Sequence, residues 1–413
     1  MTRNQVTRGL GTRDPGTRGG APRGHEIPIT WNGARLRAWV PAPLAGQSFE
    51  LGTRAVRVSV RAAAAVVAAG SRTVRFEPVA MLLLRSEGVA SSFIEGIRTP
   101  LVDVAAAEVG SVLSDTASYV ADNLAAVVDA LRSSDGALTH EHLWNWHRRL
   151  MEEGGGLPPS LLGAYRAEQS WVGGTSPRDA ALVPPPPALV PGLMDDLLAF
   201  ANDDVLDPVT QAAVLHAQFE TIHPFGDGNG RIGRILIGWV LAHRLAIALP
   251  PPVSVLIARD PGGYLAGLTL YRLGQLDSWV EWMAAALERS SDAAAALMTR
   301  TDALVAEWRH RLAGVRADAA AQRLVDILAE RPVLSAAAVA ARLGVSARAG
   351  QTALATLAEH GIVRRYRPDV RDAHDARDAA SASDAVGAGR PGRPTQYWVA
   401  HELVALVAGW PGT

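Results

Sequence analysis

The 413-residue chain has no cysteine, and all 40 of its basic residues are arginine. The first absence excludes disulfides and thiolate metal sites and fits a cytoplasmic protein. The second means that any phosphate site must be built from arginine and backbone N–H groups. No apolar run reaches the roughly 18 residues of a membrane span, although 48% of the residues are hydrophobic. The N-terminus lacks the apolar core of a signal peptide. Nor is there an excess of charge: the formal net charge is −1, so attraction to nucleic acid or a membrane has to come from a local patch. The length suffices for two or three domains.

What is present is arranged in blocks. Residues 1–26 form an arginine-rich tail in which Thr2-Arg3, Thr7-Arg8, Thr12-Arg13 and Thr17-Arg18 recur every five residues. With no apolar face, this tail is expected to be disordered. Helical periodicity then predicts helices near 54–69, 77–90, 102–109, 115–132, 139–152, 191–202, 208–222, 230–246, 261–272 and 276–288. This divides the chain into a helical region over 27–109, a core over 110–290 and a helical linker over 291–333. The last block, 334–413, changes character. Two short helical patterns flank Gly344, and "RPTQYWVA" reads as a returning strand, which together predict a winged helix-turn-helix. The fold class expected is all-α.

The densest chemistry lies in "HPFGDGNGRIGR", His223 to Arg234. Pro224 ends the preceding helix and leaves His223 beside a loop, where an imidazole can reach a substrate. Phe225 is read as the apolar anchor of the turn. Gly226, Gly228 and Gly230 allow close backbone approach and positive φ. Their N–H groups and the start of the next helix make an anion site. Arg231 and Arg234, three apart, share a face at that helix end. Asp227 beside a phosphate cradle is a natural Mg²⁺ ligand, and His223 is placed to deprotonate an attacking hydroxyl. The ensemble reads as phosphoryl or nucleotidyl transfer.

With every fixed position present, this window resembles the signature of the Fic family, His-Pro-Phe-x-Asp/Glu-Gly-Asn-Gly-Arg-x-x-Arg. The resemblance implies an all-helical Fic-type core that moves AMP from ATP onto a hydroxyl of a target protein. It implies His223 as general base, Asp227 as Mg²⁺ ligand, Gly228, Asn229 and Gly230 as the anion cradle, and Arg231 and Arg234 on the outer phosphates. "GAYRAEQSWVGG" resembles the approach to the family's β-hairpin flap, which places target docking at Trp171–Thr175. "GGYLAGL" resembles a nucleotide-side motif with Gly263 in place of its first tyrosine, leaving Tyr264 as the adenine contact. His216 is read as structural, and no histidine pair has zinc spacing.

"SSFIEGI" resembles the family's inhibitory motif at Ser91, Glu95 and Gly96. A carboxylate there can pair bidentately with Arg234 and occupy the place of a phosphate. The expected function is therefore an autoinhibited protein adenylyltransferase, a nucleotidyltransferase that uses Mg-ATP and modifies Ser, Thr or Tyr of a target and of itself. The alternatives are transfer of another nucleotide or phosphate, AMP removal, or a DNA-binding regulator with an auxiliary Fic domain. From Ser335 to Arg367 there are five arginines against one acid, Glu359, whereas five aspartates follow between Asp369 and Gly389. DNA, a protein partner or a homodimer are the expected uses of that domain; a membrane is not.

Overall fold

The described chain opens with a hairpin, β1 (His25–Trp31) and β2 (Ala34–Val40), in full antiparallel register from His25 opposite Val40 to Trp31 opposite Ala34. Asn32 and Gly33 make its turn with φ of 43° and 75°. Asn-Gly is the dipeptide that a two-residue hairpin turn favours. The helical reading of residues 27–40 is thus corrected: alternation of period two around Asn-Gly decides this segment, and the helical periodicity begins only at Thr53.

The structure is a computed structural model that describes residues 24–73, 77–109, 115–152, 156–316, 319–367, 395–407 and 409–410. The tail over residues 1–23 and the aspartate-rich stretch from Asp369 to Gly389 lie outside the described residues. Helices follow the hairpin: α1 (Thr53–Thr73), α2 (Glu77–Ile94), α3 (Leu101–Ala107), α4 (Asp115–Arg132), α5 (His140–Met151) and α6 (Val190–Ala201). Then come α7 (Pro208–Ile222), α8 (Asn229–Leu245), α9 (Val253–Arg259), α10 (Pro261–Arg272) and α11 (Leu276–Arg311). The α9 turn, set off by prolines, was not anticipated. No helix among the described residues is long and apolar enough to cross a membrane.

The centre is the pair α7 and α8, which pack on each other and are buried along almost their whole length. Around them lie α4, α2 and α11, and α1 lies along α11. Apolar residues on every side of α7 explain why it needs no polar face. Asp207 caps α7 by accepting from Val209 and Thr210 N–H at 3.1 Å, with Pro208 at the first helical position. The expected break near residue 289 does not occur. Instead α11 runs unbroken for 36 residues and buries Ser290, Ala294, Leu297, Met298 and Trp308. About half of the expected linker, residues 291–311, is therefore part of a core helix.

The C-terminal elements are α12 (Ala320–Glu330), β3 (Val333–Ser335), α13 (Ala336–Leu343), α14 (Ala347–Glu359), β4 (Arg364–Tyr366), β5 (Tyr397–Val399) and α15 (His401–Ala405). The three strands form one antiparallel sheet in the order β3-β5-β4. Gly344 ends α13 at φ 65°, and Ser346 caps α14 by accepting from Ala349 N–H at 3.2 Å. This unit packs on the core. Val333, Tyr397 and Val399 form an apolar cluster with Ala105 and Ala106 of α3, and α12 lies against α2.

Candidate functional site

The site forms where α7 stops and α8 starts. His223 ends α7 in the left-handed conformation, φ 51° and ψ 60°, with its N–H on the Phe219 carbonyl at 2.8 Å. Pro224 prevents the helix from continuing. Phe225 is fully buried and stacks on His147 of α5, ring centroids 4.1 Å apart and 8° from parallel, so its expected anchoring role holds. Gly228 takes φ 76° and becomes the N-cap of α8. Among the three loop glycines only Gly228 has positive φ. Gly230 has a different reason to be glycine: a Cβ there would lie 2.2 Å from Glu95 Oε1 and 3.0 Å from Arg234 NH1. Gly226 is exposed, and a Cβ on it would meet only ordinary contacts.

Asn229 does not turn its side chain to a ligand. Its Oδ1 accepts from Phe225 N–H and its Nδ2 donates to the Phe225 carbonyl, both at 2.9 Å. These two bonds close the loop on itself. Asp227 stands at the rim with its side chain 59% exposed, and its Oδ1 accepts from Gly228 N–H at 2.6 Å. Arg231 and Arg234 are both buried and go to separate partners. Arg231 bonds the Tyr119 hydroxyl and lies 4.7 Å over that ring, with Asp227 one helical turn back at 3.9 Å. Arg234 donates to Ser91 Oγ at 2.9 Å, to the Ser91 carbonyl at 2.8 Å and to Glu95 Oε1 at 2.7 Å.

Glu95, in the stretch that resembles the inhibitory motif, thus meets Arg234 of the window 139 residues away in sequence. The Arg234–Glu95 pair is single-pronged rather than bidentate, because Ser91 takes Arg234 Nε and shares NH2. Gly96 adopts φ 82° and turns the chain out of α2. Burial pushes the Glu95 carboxyl up, but the charge and hydrogen bond of Arg234 outweigh it, so its pKa lies below the usual value. Glu95 is therefore a carboxylate at neutral pH. It sits over Gly230 at the positive end of α8, where an anion is favoured.

His223 is held neutral. Burial first, then the charge of Arg166, lowers its pKa to about 4 against the opposing Glu220 carbonyl, Glu95 and Asp227. A neutral imidazole is the form that accepts a proton. His216 lies in the core and bonds the Tyr264 hydroxyl at 2.8 Å, which agrees with its structural reading. Tyr264 is itself only 5% exposed, so the residue expected at the adenine sits beneath the site with its hydroxyl engaged. Trp171 is exposed at the start of a short hairpin bridged at Val172 and Leu182. Asp179 closes its tip by accepting from Thr175 and Ser176 N–H.

Three supporting residues escaped the sequence reading. His147 accepts Gly163 N–H on Nδ1 at 2.9 Å and faces the Asp227 carbonyl with Nε2 at 3.2 Å. Tyr119 holds Arg231. Arg166 lies beneath the flap and His223. His147 and Tyr119 sit in no recognisable local pattern, and Arg166, though it lies inside "GAYRAEQSWVGG", has no role legible there; only the fold brings them to the window.

Residues 137–241 match the Fic/DOC family. The chain carries a Fic domain. A protein adenylyltransferase of Caenorhabditis elegans is 30% identical over 147 residues, 35% of this chain and 26% of that protein. A probable protein adenylyltransferase of Aquifex aeolicus is 44% identical over 63 residues, 15% of this chain and 20% of its own length. The chain thus spans about a quarter or less of these curated relatives. A crystal structure of a Fic family protein from Desulfovibrio desulfuricans superposes with a TM-score of 0.49 at 23% identity, covering 83% of this chain and 95% of that one.

The Fic window also answers whether Mg²⁺ and a nucleotide fit. Among the described residues no group of three or more His, Asp or Glu side chains forms a metal cage. One open carboxylate, Asp227, beside a backbone anion cradle and two arginines is the donor set of a cation that takes most of its oxygens from phosphates and water. The residues fit Mg²⁺ arriving with a nucleotide.

Proposed function

We propose that the Fic domain transfers AMP from Mg-ATP to Ser, Thr or Tyr hydroxyls of a target protein and of itself, and that Glu95 holds it in an inhibited state. One observation carries this reading: a carboxylate of the same chain rests on Arg234 and Gly230 at the start of α8, where an anionic phosphate is best bound. A target hydroxyl docked at the flap attacks the α-phosphorus, and neutral His223 takes its proton. The hydroxyl oxygen bonds to phosphorus as the bond from phosphorus to the bridging oxygen breaks, and pyrophosphate leaves. Arg231, Arg234 and the amides that open α8 hold the charge that develops on the leaving group. Asp227 would hold Mg²⁺, which would neutralise phosphate charge when bound.

The test uses ATP labelled at the α-phosphate, with a Glu95→Gly parent and its His223→Ala derivative. Label on protein with the parent and none with the derivative supports the reading. Label appearing only from UTP or from γ-labelled ATP replaces it by transfer of another group. Release of AMP from prelabelled protein assigns removal instead.

We also propose that α12 to α15 form a winged helix. The helix, strand, two helices and returning strands occur in that order, and α14 exposes Arg348, Gln351 and Thr352 while β4 exposes Arg364 and Arg365. These side chains suit base edges and phosphates of duplex DNA. Binding to a random duplex at low salt that weakens steeply between 50 and 200 mM salt is the expected result. No binding at low salt leaves this surface to a protein partner.

A further inference from the structure

Arg166 is buried, and its donors go to main-chain carbonyls. Nε donates to His223 at 2.8 Å, NH1 to Glu168 at 2.9 Å, and NH2 to Pro185 at 2.5 Å and Ile222 at 3.4 Å. Its own N–H donates to the Pro224 carbonyl at 2.9 Å. Glu168 and Pro185 are the two feet of the flap, while Ile222, His223 and Pro224 are the catalytic turn. A planar fork of five donors can span both segments at once, which a lysine cannot. Among the described residues Arg166 forms no ion pair, so a buried positive charge is retained solely for carbonyls. His223 needs such a hold, since it is a non-glycine residue in the left-handed region.

We propose that Arg166 is a positioning residue that fixes the flap to the His223 turn as one rigid unit, so that a hydroxyl docked on the flap meets the imidazole in register. This rests on the adenylyltransferase reading. Substitution of Arg166 misplaces the hydroxyl and the base relative to each other, and a displacement of about 1 Å lowers turnover roughly a hundredfold. The nucleotide cradle on α8 is untouched. In a Glu95→Gly background, Arg166→Met is expected to lose about a hundredfold in kcat with ATP affinity changed by less than about threefold. Arg166→Lys, which keeps the charge but spans fewer carbonyls, falls between. Parallel loss of ATP affinity and kcat, or unchanged kcat, overturns the proposal. Amide hydrogen exchange gives a readout that does not depend on activity. In the lysine and methionine variants, residues 169–184 and 223–226 should speed up together while α8 stays protected. Acceleration of one segment alone overturns the coupling. A parent that transfers nothing while both segments accelerate overturns the adenylyltransferase reading but not the coupling.

A different observation carries a second inference. α2 bears Ser91 at its C-terminal end, and α2 and α3 bracket the Glu95 turn. Both helices are gripped by the C-terminal unit. Arg85 of α2, its side chain 4% exposed, bonds Glu108 at 2.6 Å and the Glu330 carbonyl that closes α12 at 2.7 Å. Tyr366 of β4 bonds Asp103 of α3, beside the apolar cluster of Ala105 and Ala106 with Val333, Tyr397 and Val399. We infer that the C-terminal unit holds the inhibitory turn on Arg234, so that loosening their contact releases the brake. Arg85→Met and Tyr366→Phe are expected to raise label transfer, and the affinity for a fluorescent ATP analogue, roughly two- to thirtyfold in the otherwise native chain. Neither should add anything in the Glu95→Gly background. Unchanged analogue affinity in both variants, or an equal gain with and without Glu95, overturns the inference. The binding readout keeps it separable from the transfer reaction.

Discussion

Glu95→Gly tests the proposed brake separately from the proposed catalytic residues. In the native chain Arg234 is buried, and its contact with Glu95 is one charge-assisted hydrogen bond of 2.7 Å. Hydrogen bonds to charged groups contribute about 1.5–3 kcal/mol. The Glu95 side chain is 36% exposed, and solvent screening places this pair near the lower end, about 1.5–2 kcal/mol. A phosphate arriving at the α8 cradle must displace that contact, so its removal should tighten ATP binding by roughly ten- to thirtyfold. Transfer should rise by at least as much, because a nucleotide bound beside Glu95 cannot use Arg234. Clearing the carboxylate from the face of Gly230 works in the same direction. Arg234 keeps its two Ser91 bonds in the variant but loses its counter-charge. The variant should therefore melt lower without ligand and gain more from ATP than the native protein does. Calorimetric ATP titration and α-phosphate label transfer, run side by side, measure both quantities. Equal ATP affinity and equal transfer for the two forms would refute the argument, whatever their melting temperatures.

Asp227→Ala should lower transfer at least a hundredfold by label assay while leaving the melting temperature within a degree or two, because its carboxylate is largely exposed. Gly267→Ala should cost about 1–3 kcal/mol in urea unfolding, since a Cβ there would lie 2.4 Å from the buried Trp279 ring; unchanged stability would show that the ring can move. Stability should also fall with acid. Burial keeps His147 and His223 neutral to about 4 and His216 to about 3, against 6.5 ordinarily. The unfolded chain therefore binds these protons first, and the contribution present above pH 6.5 is lost as pH falls. Burial raises Glu87 and raises Glu220 to about 7, which opposes this between about 7 and 4.5. With His401 lowered as well, the lowered histidines outnumber the raised glutamates, so stability should fall as pH drops from 6.5 to 4.5. Urea midpoints that stay level or rise from pH 6.5 to 4.5 would contradict it.

The local features of the site were legible because each depends on neighbours in sequence. Pro224 ends α7, Gly228 opens α8, and the spacing of His223, Asp227, Arg231 and Arg234 follows from one turn and one helix. The helices were legible for the same reason, with boundaries within a few residues for most. The first hairpin was legible too, in Asn32-Gly33 and its flanking alternation, but the helical content around it masked that signal. What the sequence left open is decided by contacts between distant segments. Nothing within the window says that Arg231 turns to Tyr119 while Arg234 turns to Ser91, or that Asn229 spends its amide on Phe225. Arg166 reads as one more arginine until the fold sets both feet of the flap and the His223 turn around its guanidinium. Local chemistry thus determined which groups are available. Only tertiary packing, by burying Arg234 beside Glu95 and desolvating His223, decided which partner each arginine holds and kept the imidazole neutral.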